Sequence, residues 1–326
     1  MAALPDTFAG KRVTVMGLGL HGGGLATATW FLRHGARVTV TDLKTRAQLR
    51  SSVVALERNA RQRGSGSLRY VFGAHHVNDF RSADLVVQNP GVPRESKFLA
   101  IARAARVEIE NEASLFLKIV RGDSNFFLPL PSGGGARGGG ASSRPRIIGV
   151  TGTRGKSTTA ALIAELLRAG GRTVFLAGNI RIPMLGVLDE VLLAAKRGPV
   201  EVVLELSSWH CELLSRETGG PDISVLTNLY PDHLNRYRSL RAYVAAKARL
   251  VRFQSRNGIV IANGEQPIVR AMAALSPGRA VWYAQRPSRR TWSGYAMRDG
   301  VCVQFRSGRG TSIASRRLLQ LPGAHN

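Results

Sequence analysis

The sequence predicts an α/β protein of two successive domains, each built on a parallel sheet. Three observations carry this. A strand runs into a G-x-G-x-x-G (Gly17, Gly19, Gly22), followed by a helical stretch and a second strand, the order of a Rossmann-like βαβ unit. A later stretch, 147–159 (IIGVTGTRGKSTT), reads as a buried strand, a glycine loop and a helix, the grammar of a phosphate cradle. Between them, residues 123–145 are dominated by Gly, Ser and Pro, as in a flexible linker. The expected layout is a Rossmann-like domain over 1–122, the linker, and a P-loop α/β domain over 146–326 ending in a small antiparallel β lobe.

In the first domain, residues 11–16 form a short strand. The helix after Gly22 spans about 23–34, with Gly35 as its C-cap residue. The strand 37–41 delivers Asp42, twenty residues after Gly22, near where a ribose-binding acid belongs. The ligand stays open, since this half-fold holds NAD, FAD or a UDP-sugar. Further strands are expected at 69–72 and 84–88. The latter leads into Asn89-Pro90-Gly91-Val92-Pro93, a loop at the end of a strand where ligands bind in such sheets. A helix near 97–105, a strand at 107–109 and a helix start at Asn111-Glu112 follow.

In the second domain, Gly152 and Gly155 allow the sharp turn that brings backbone N–H groups to an anion. The helix opening at Lys156 presents its positive end to the same anion. Lys156 can reach a terminal phosphate, and Ser157 or Thr158 can ligate Mg²⁺. The strict pattern G-x-x-x-x-G-K-[ST] would need Gly at 150, where this chain has Val150. The helix 156–168 and a strand, 173–176, lead to Gly178-Asn179-Ile180-Arg181. A buried strand, 202–204, delivers Glu205 in E-L-S-S-W-H. A carboxylate there suits Mg²⁺, whereas Ser207 and Ser208 could simply cap the next helix. The strand 224–227 precedes Asn228-Leu-Tyr-Pro-Asp232-His233-Leu234, and a lone His is more often a structural hydrogen bonder than a ligand. The helix 240–252 carries Lys247, which by composition is an exposed helical lysine. Strands at 258–262 and 280–283 and a hairpin, 294–297 with 301–305, complete the pattern.

The loop T-G-T-R-G-K-S-T has the form found in Mur ligases and folylpolyglutamate synthetases, and from there on the chain resembles the Mur ligases. Its first domain is similar to their D-glutamate-adding type in four motifs: G-x-G-x-[ST]-G, an acid ending the second strand, [SN]-P-G-[IV], and [GN]-[DE]-x-x-L-F. His21 replaces Ser or Thr in the first of these. In the second domain, Arg181 replaces the last Gly of G-N-I-G, and Trp209-His210 stands where E-x-S-S-[FY]-Q has its last two residues. The resemblance implies that Gly17, Gly19, Leu20, His21, Gly22, Asp42, Asn89, Pro90 and Gly91 hold the UDP of a muramoyl substrate, and that Asn179 touches it. It implies an ATP site at Gly152, Thr153, Arg154, Gly155, Lys156, Ser157 and Thr158. It also implies two Mg²⁺ ions, one on Ser157 and Glu205, the other on His233 and a carbamylated Lys247, which lies fourteen positions after His233. Lys156, His233 and Lys247 would be the catalytic residues. The implied reaction joins D-glutamate to UDP-N-acetylmuramoyl-L-alanine through an acyl phosphate, in cytoplasmic peptidoglycan precursor synthesis, and a monomer is expected.

The formal charge of +25 invites a nucleic-acid reading. However, the 46 Lys and Arg are scattered, the densest cluster (286–290) is short, and aromatic residues are only 6%. That favours a solvated basic surface over a stacking platform. The first ten residues lack a charged n-region and an apolar h-region, so no signal peptide is expected. No apolar run is long enough to span a bilayer. Cys211 and Cys302 are far apart, which fits a reducing cytosol. The chain stops at 321–326 (LPGAHN), inside a motif resembling L-x-G-x-H-N. The resemblance implies a third, amino-acid-binding domain after it, so weak or no turnover is expected of these residues alone. Other readings are a related ligase adding a different residue, an NAD-dependent oxidoreductase, and a non-catalytic P-loop protein acting on nucleic acid.

Overall fold

The computed structural model describes residues 8–63, 66–93, 95–122, 144–285, 293–307 and 309–315. Most of the expected linker, the basic cluster at 286–290 and the terminal motif lie outside these residues.

The elements run in order β1 (Arg12–Met16), α1 (Gly23–Arg33), β2 (Arg37–Asp42), α2 (Arg50–Arg63), β3 (Ser67–Phe72), α3 (Val77–Arg81), β4 (Leu85–Gln88), α4 (Lys97–Ala104), β5 (Glu108–Glu110) and α5 (Glu112–Arg121). There follow β6 (Arg146–Thr151), α6 (Lys156–Ala169), β7 (Thr173–Gly178), α7 (Met184–Ala195), β8 (Val200–Glu205), α8 (Ser208–Cys211), β9 (Ile223–Leu226), α9 (Leu240–Arg252), β10 (Ile259–Asn263), α10 (Pro267–Ala273), β11 (Arg279–Ala284), β12 (Gly294–Arg298), β13 (Val301–Arg306) and β14 (Arg309–Ser315). The expected strands and helices all form, most one or two residues longer or shorter than read from sequence. The helices α2, α3, α7 and α10 and the strand β14 are additional.

Two compact units emerge, one of residues 1–145 with 171–202, the other of 146–170 with 203–326. By compactness, therefore, β7 and α7 group with the N-terminal residues, although in sequence they follow the P-loop. The cause is local. Apolar residues of α7 (Met184, Leu185, Leu188, Val191, Leu192) are buried, and Asp189 accepts a hydrogen bond from Trp30 Nε1 at 2.8 Å. Glu112, at the start of α5, accepts from the Leu185 N–H at 3.1 Å. Asp189 also lies 3.1 Å from His34 Nε2.

The first unit holds a parallel sheet of order β3-β2-β1-β4-β5. The strand order reverses between β1 and β4, which places the loops after both strands at the switch point where such sheets bind ligands. In the second sheet, β8, β6, β9, β10 and β11 follow one another. The β6–β9, β9–β10 and β10–β11 pairings are parallel. The expected antiparallel lobe is β12-β13-β14, and it continues this sheet, since β12 pairs in parallel with β11. Strands β6 and β8 are almost wholly buried, as strands covered on both faces must be.

Candidate active site

In the first unit, the glycine loop is set by its neighbours. Gly17 has φ +95, and a Cβ there would lie 3.0 Å from Asn89 Cβ. Asn89 Nδ2 donates to the Gly17 carbonyl (3.1 Å), and its Oδ1 accepts from Gly91 N–H (3.4 Å), so the loops after β1 and β4 are tied together. A Cβ on Gly24 would meet the Gly17 carbonyl at 2.3 Å, so α1 packs directly on the loop. Asp42, buried at the end of β2, accepts from Leu18 N–H (3.0 Å) and Gly19 N–H (3.1 Å) through one oxygen and from Lys44 N–H (2.9 Å) through the other. Sequence reasoning pointed this carboxylate at a ligand; here its oxygens face the loop backbone. Leu20 and His21 stand exposed at the loop tip and Gly91 is exposed, while Gly22 and Pro90 are half-buried. The first turn of α1 carries no acidic residue and no side-chain cap of its own, although a Cβ on Gly23 would lie 3.9 Å from the Glu112 carboxylate.

Asn179 is exposed in the turn after β7. Arg181, two residues on, has φ +66, the left-handed conformation that suits glycine, and Gly178 N–H closes the turn on the Ile182 carbonyl (2.7 Å). The turn therefore keeps its shape without the glycine, at the cost of strain. A Cβ on Gly22 would lie 3.8 Å from Pro183, so this turn and the glycine loop share one region of the first unit.

In the second unit, the phosphate loop is cross-braced by the segment after β9. Gly152 has φ +154, and a Cβ there would sit 1.9 Å from Thr227 Oγ1, so no side chain fits. Thr153 N–H donates to the Asn228 carbonyl (2.8 Å) and Arg154 N–H to Asn228 Oδ1 (2.9 Å). The Arg154 carbonyl accepts from Thr227 Oγ1 (2.8 Å) and Asn228 Nδ2 (3.1 Å). Tyr230 N–H donates to Thr153 Oγ1 (3.0 Å). Gly155 (φ +77) starts α6 with no side-chain cap and no acidic residue in the first turn. Arg154, Gly155, Ser157 and Thr158 are exposed, and Lys156 Nζ donates to the Thr153 carbonyl at 2.9 Å.

Lys247 is not the exposed lysine its composition suggested. It is 1% exposed, and its Nζ donates to the Gly152 carbonyl (2.9 Å) and Thr151 Oγ1 (3.3 Å) beneath the phosphate loop. Burial, helped by the Lys156 charge, lowers its pKa to about 8. Glu205 is buried at the carboxyl end of β8. His233 is exposed, adopts φ +52, and lies with its Nε2 3.5 Å from Asp232 Oδ2; its ring centre is 5.4 Å from that of Trp209.

Ser207 does cap α8, as the plainer sequence reading allowed. Its side chain accepts from His210 N–H, and His210 Nδ1 accepts from Ser207 N–H at 3.3 Å, a reciprocal capping box. His210 thus supplies the acceptor that Gln would supply at that position. Burial and nearby Lys247 push its pKa down to about 4, so the ring is neutral.

Sequence reasoning assigned no role to Thr227, Asn228, Tyr243 or Glu212. Asn228 opens the motif that ends in His233, and its amide holds the phosphate loop; its presence in the motif was the available signal. Tyr243 lies 3.2 Å from Thr153 Oγ1, and nothing in the sequence distinguishes it.

The donor chemistry can be tested against ATP and Mg²⁺. A loop whose glycine excludes any Cβ, a helix start free of acids and an adjacent lysine fit a polyphosphate. The Ser157 hydroxyl and Glu205 carboxylate are hard oxygen donors suited to Mg²⁺; the His233 imidazole is softer, and a carbamate on Lys247 would restore an oxygen donor. Among the described residues, no group of three or more His, Cys, Asp or Glu is arranged to hold a metal by itself, so any ion here would draw on Ser157 and the nucleotide as well.

Fold and site together define an α/β protein with a Rossmann-like unit and a P-loop unit. The Mur ligase middle domain model matches residues 150–326, and the Mur ligase MurD-like N-terminal domain model matches 11–111. The chain belongs to the Mur ligase family. It is 37% identical over 324 residues to the UDP-N-acetylmuramoylalanine--D-glutamate ligase of Roseiflexus sp. (strain RS-1), covering 98% of this chain and 62% of that one. It is 36% identical over 258 residues to the enzyme of the same name from Borreliella burgdorferi (strain ZS7), covering 79% and 48%. The chain thus spans about three fifths or less of the length of these curated relatives. Among solved structures, the UDP-N-acetylmuramate:L-alanyl-gamma-D-glutamyl-meso-diaminopimelate ligase from Neisseria meningitides shares the fold, with a TM-score of 0.55, 17% identity and coverage of 97% and 90%.

Proposed function

We propose that this chain carries the UDP-sugar and ATP sites of an ATP-dependent amide ligase that adds D-glutamate to UDP-N-acetylmuramoyl-L-alanine. The domain roles follow the sequence: 1–122 for the UDP-sugar, 146–326 for ATP. The observation that carries the reading is Lys247, buried under the Gly152 carbonyl with an amine that is partly neutral near pH 8. A neutral amine is the form that adds CO₂ to give a carbamate, which explains why a lysine should be desolvated against a phosphate loop.

The substrate carboxylate attacks the γ-phosphorus of ATP, giving an acyl phosphate and ADP. The amine of D-glutamate then attacks the acyl carbon and phosphate leaves. Little covalent work falls to the protein, so positioning and charge neutralisation dominate. The loop from Gly152 to Thr158 would hold the β and γ phosphates, chiefly through the N–H groups of Gly155 and Lys156 at the start of α6, since those of Thr153 and Arg154 are held by Asn228, with the Lys156 ammonium swinging from the Thr153 carbonyl to the anion. Mg²⁺ on Ser157 and Glu205, and on His233 and carbamylated Lys247, would neutralise phosphate charge when bound. Gly17, Gly19, Leu20, His21, Gly22, Pro90 and Gly91 would line the UDP site, with Asp42 and Asn89 bracing it and Asn179 reaching the sugar side. We infer a cytoplasmic monomer. Among the described residues, no helix is long and apolar enough to cross a membrane.

The test is calorimetric titration of the purified chain with UDP-N-acetylmuramoyl-L-alanine, with NAD⁺ as control. Micromolar binding of the UDP-sugar without NAD⁺ binding is expected. Binding of NAD⁺ in its place would overturn the assignment of the first unit.

A further inference from the structure

Glu212 lies seven residues after Glu205 and is 1% exposed. Two side chains from the His233 segment converge on it. Arg236 donates through Nε (3.3 Å) and Nη2 (3.1 Å), and Tyr237 Oη donates at 2.6 Å. Both residues are tied to His233 by the backbone, since Arg236 N–H and Tyr237 N–H each donate to its carbonyl at 2.9 Å. The guanidinium of Arg236 also lies 5.1 Å from the centre of the Trp209 ring, which faces the His233 imidazole as well. His233 itself is held at φ +52, which costs a non-glycine residue free energy and persists only where surroundings enforce it.

We infer that Glu212 is a positioning residue for His233: its buried carboxylate clamps Arg236 and Tyr237 and thereby fixes the left-handed turn that presents the imidazole. Stability alone is a poor reason to bury a carboxylate with an arginine, because desolvation offsets most of the attraction. Geometric definition of the turn is the better account. The inference rests on the proposed function only for what His233 does, not for what holds it.

The full chain carrying Glu212→Gln, and separately Tyr237→Phe, is compared with the parent, with His233→Ala and with the Glu212→Gln/His233→Ala double variant. The ring signals of His233 are read by NMR on ¹⁵N-histidine-labelled protein, assigned by their loss in His233→Ala. Melting temperature and binding of a non-hydrolysable ATP analogue report the fold and the phosphate loop. Glu212→Gln is expected to keep analogue affinity within about threefold while its complex loses about tenfold in Mn²⁺ affinity. Its His233 ring signals should move from the position set by the Trp209 ring toward those of an exposed histidine, with Tyr237→Phe shifting them less in the same direction. The double variant should bind Mn²⁺ no more weakly than His233→Ala alone. Unchanged His233 signals in a folded Glu212→Gln protein would overturn the inference. Unchanged Mn²⁺ affinity in His233→Ala would instead remove the metal role of His233, with the ring signals still deciding Glu212. If Glu212→Gln does not fold, Tyr237→Phe decides by the same signals.

Discussion

Lys247 shows how far one side chain's role depends on where its helix lies. In α9, its neighbours Tyr243, Ala246, Ala248, Leu250 and Val251 are also buried, so that face packs inward and brings the amine beneath Gly152. Desolvation is the largest contribution to its lowered pKa. The neutral fraction of the amine therefore grows as pH rises through about 8. Protein equilibrated with ¹³C-bicarbonate should accordingly show a carbamate carbonyl signal by NMR that strengthens between pH 6.5 and 8.5 and is missing from Lys247→Arg; a signal that survives the substitution would place the carbamate elsewhere. Arg181 makes a second residue-scale case. It occupies φ +66 without a glycine's freedom, so Arg181→Gly should raise unfolding stability by about 1 kcal/mol in chemical denaturation. A loss of stability would mean that the Arg181 side chain contributes more than its backbone costs.

Among the elements, α7 is held by its buried apolar face and by two carboxylates. Asp189 receives Trp30, and Glu112 accepts from the first N–H groups of α7, which has no cap of its own because Pro183 precedes it. Burial raises the Glu112 pKa to about 7, with the Leu185 and Met184 N–H groups acting the other way. The sign follows from proton uptake. Between its ordinary value of 4.5 and about 7, the folded state binds the proton and the unfolded state does not. This contribution to stability is therefore complete below 4.5 and lost as pH rises to 7. Glu112→Gln keeps an acceptor for α7 and removes the ionisation. It should flatten that fall and stabilise the protein at pH 8 by up to about 3 kcal/mol. Thermal unfolding of parent and variant from pH 4 to 8 checks this, and parallel curves would show that Glu112 stays ionised when folded. Elements whose existence was read correctly differ mostly at their ends, because side-chain caps, such as the Asn111–Ser114 and Ser207–His210 boxes that set where α5 and α8 begin, decide the boundary. The missed helices α7 and α2 both had a readable apolar spacing: Met184, Leu185, Leu188, Val191 and Leu192 in α7, and, set among arginines and polar residues, Leu49, Val53 and Leu56 leading through α2, all buried.

For the whole molecule, the charge of +25 is the property least connected to the site. Several arginines are neutralised locally, as in the Arg12–Asp84, Arg46–Glu57 and Arg236–Glu212 pairs, and exposed arginines dominate the rest. Such a surface attracts duplex DNA through counterion release alone. Any association should therefore weaken steeply from 50 to 200 mM salt and show no sequence preference, while ATP-analogue binding changes little. Duplex binding that persists at high salt would revive the nucleic-acid reading. The division into compact units is likewise a property of the whole molecule. A domain boundary drawn along the chain at the Gly/Ser/Pro-rich stretch takes no account of which surface later strands and helices cover, and residues 171–202 cover one in the N-terminal unit.

The sequence by itself determined the two glycine loops, the strand–loop–helix order around them, and the residue types able to meet phosphate and Mg²⁺, because these depend on backbone freedom and local spacing. It placed His233 and Lys247 fourteen residues apart without saying that one would be exposed and the other buried. Only the tertiary structure decided that Asp42 and Asn89 brace the first loop, that Asn228 and Thr227 brace the second, and that Glu212 receives Arg236 and Tyr237. These are contacts between segments 23 to 74 positions apart, or between residues with no period in common. The partner of a buried polar group is fixed by which elements pack together, and that is settled by the burial of whole faces rather than by any motif.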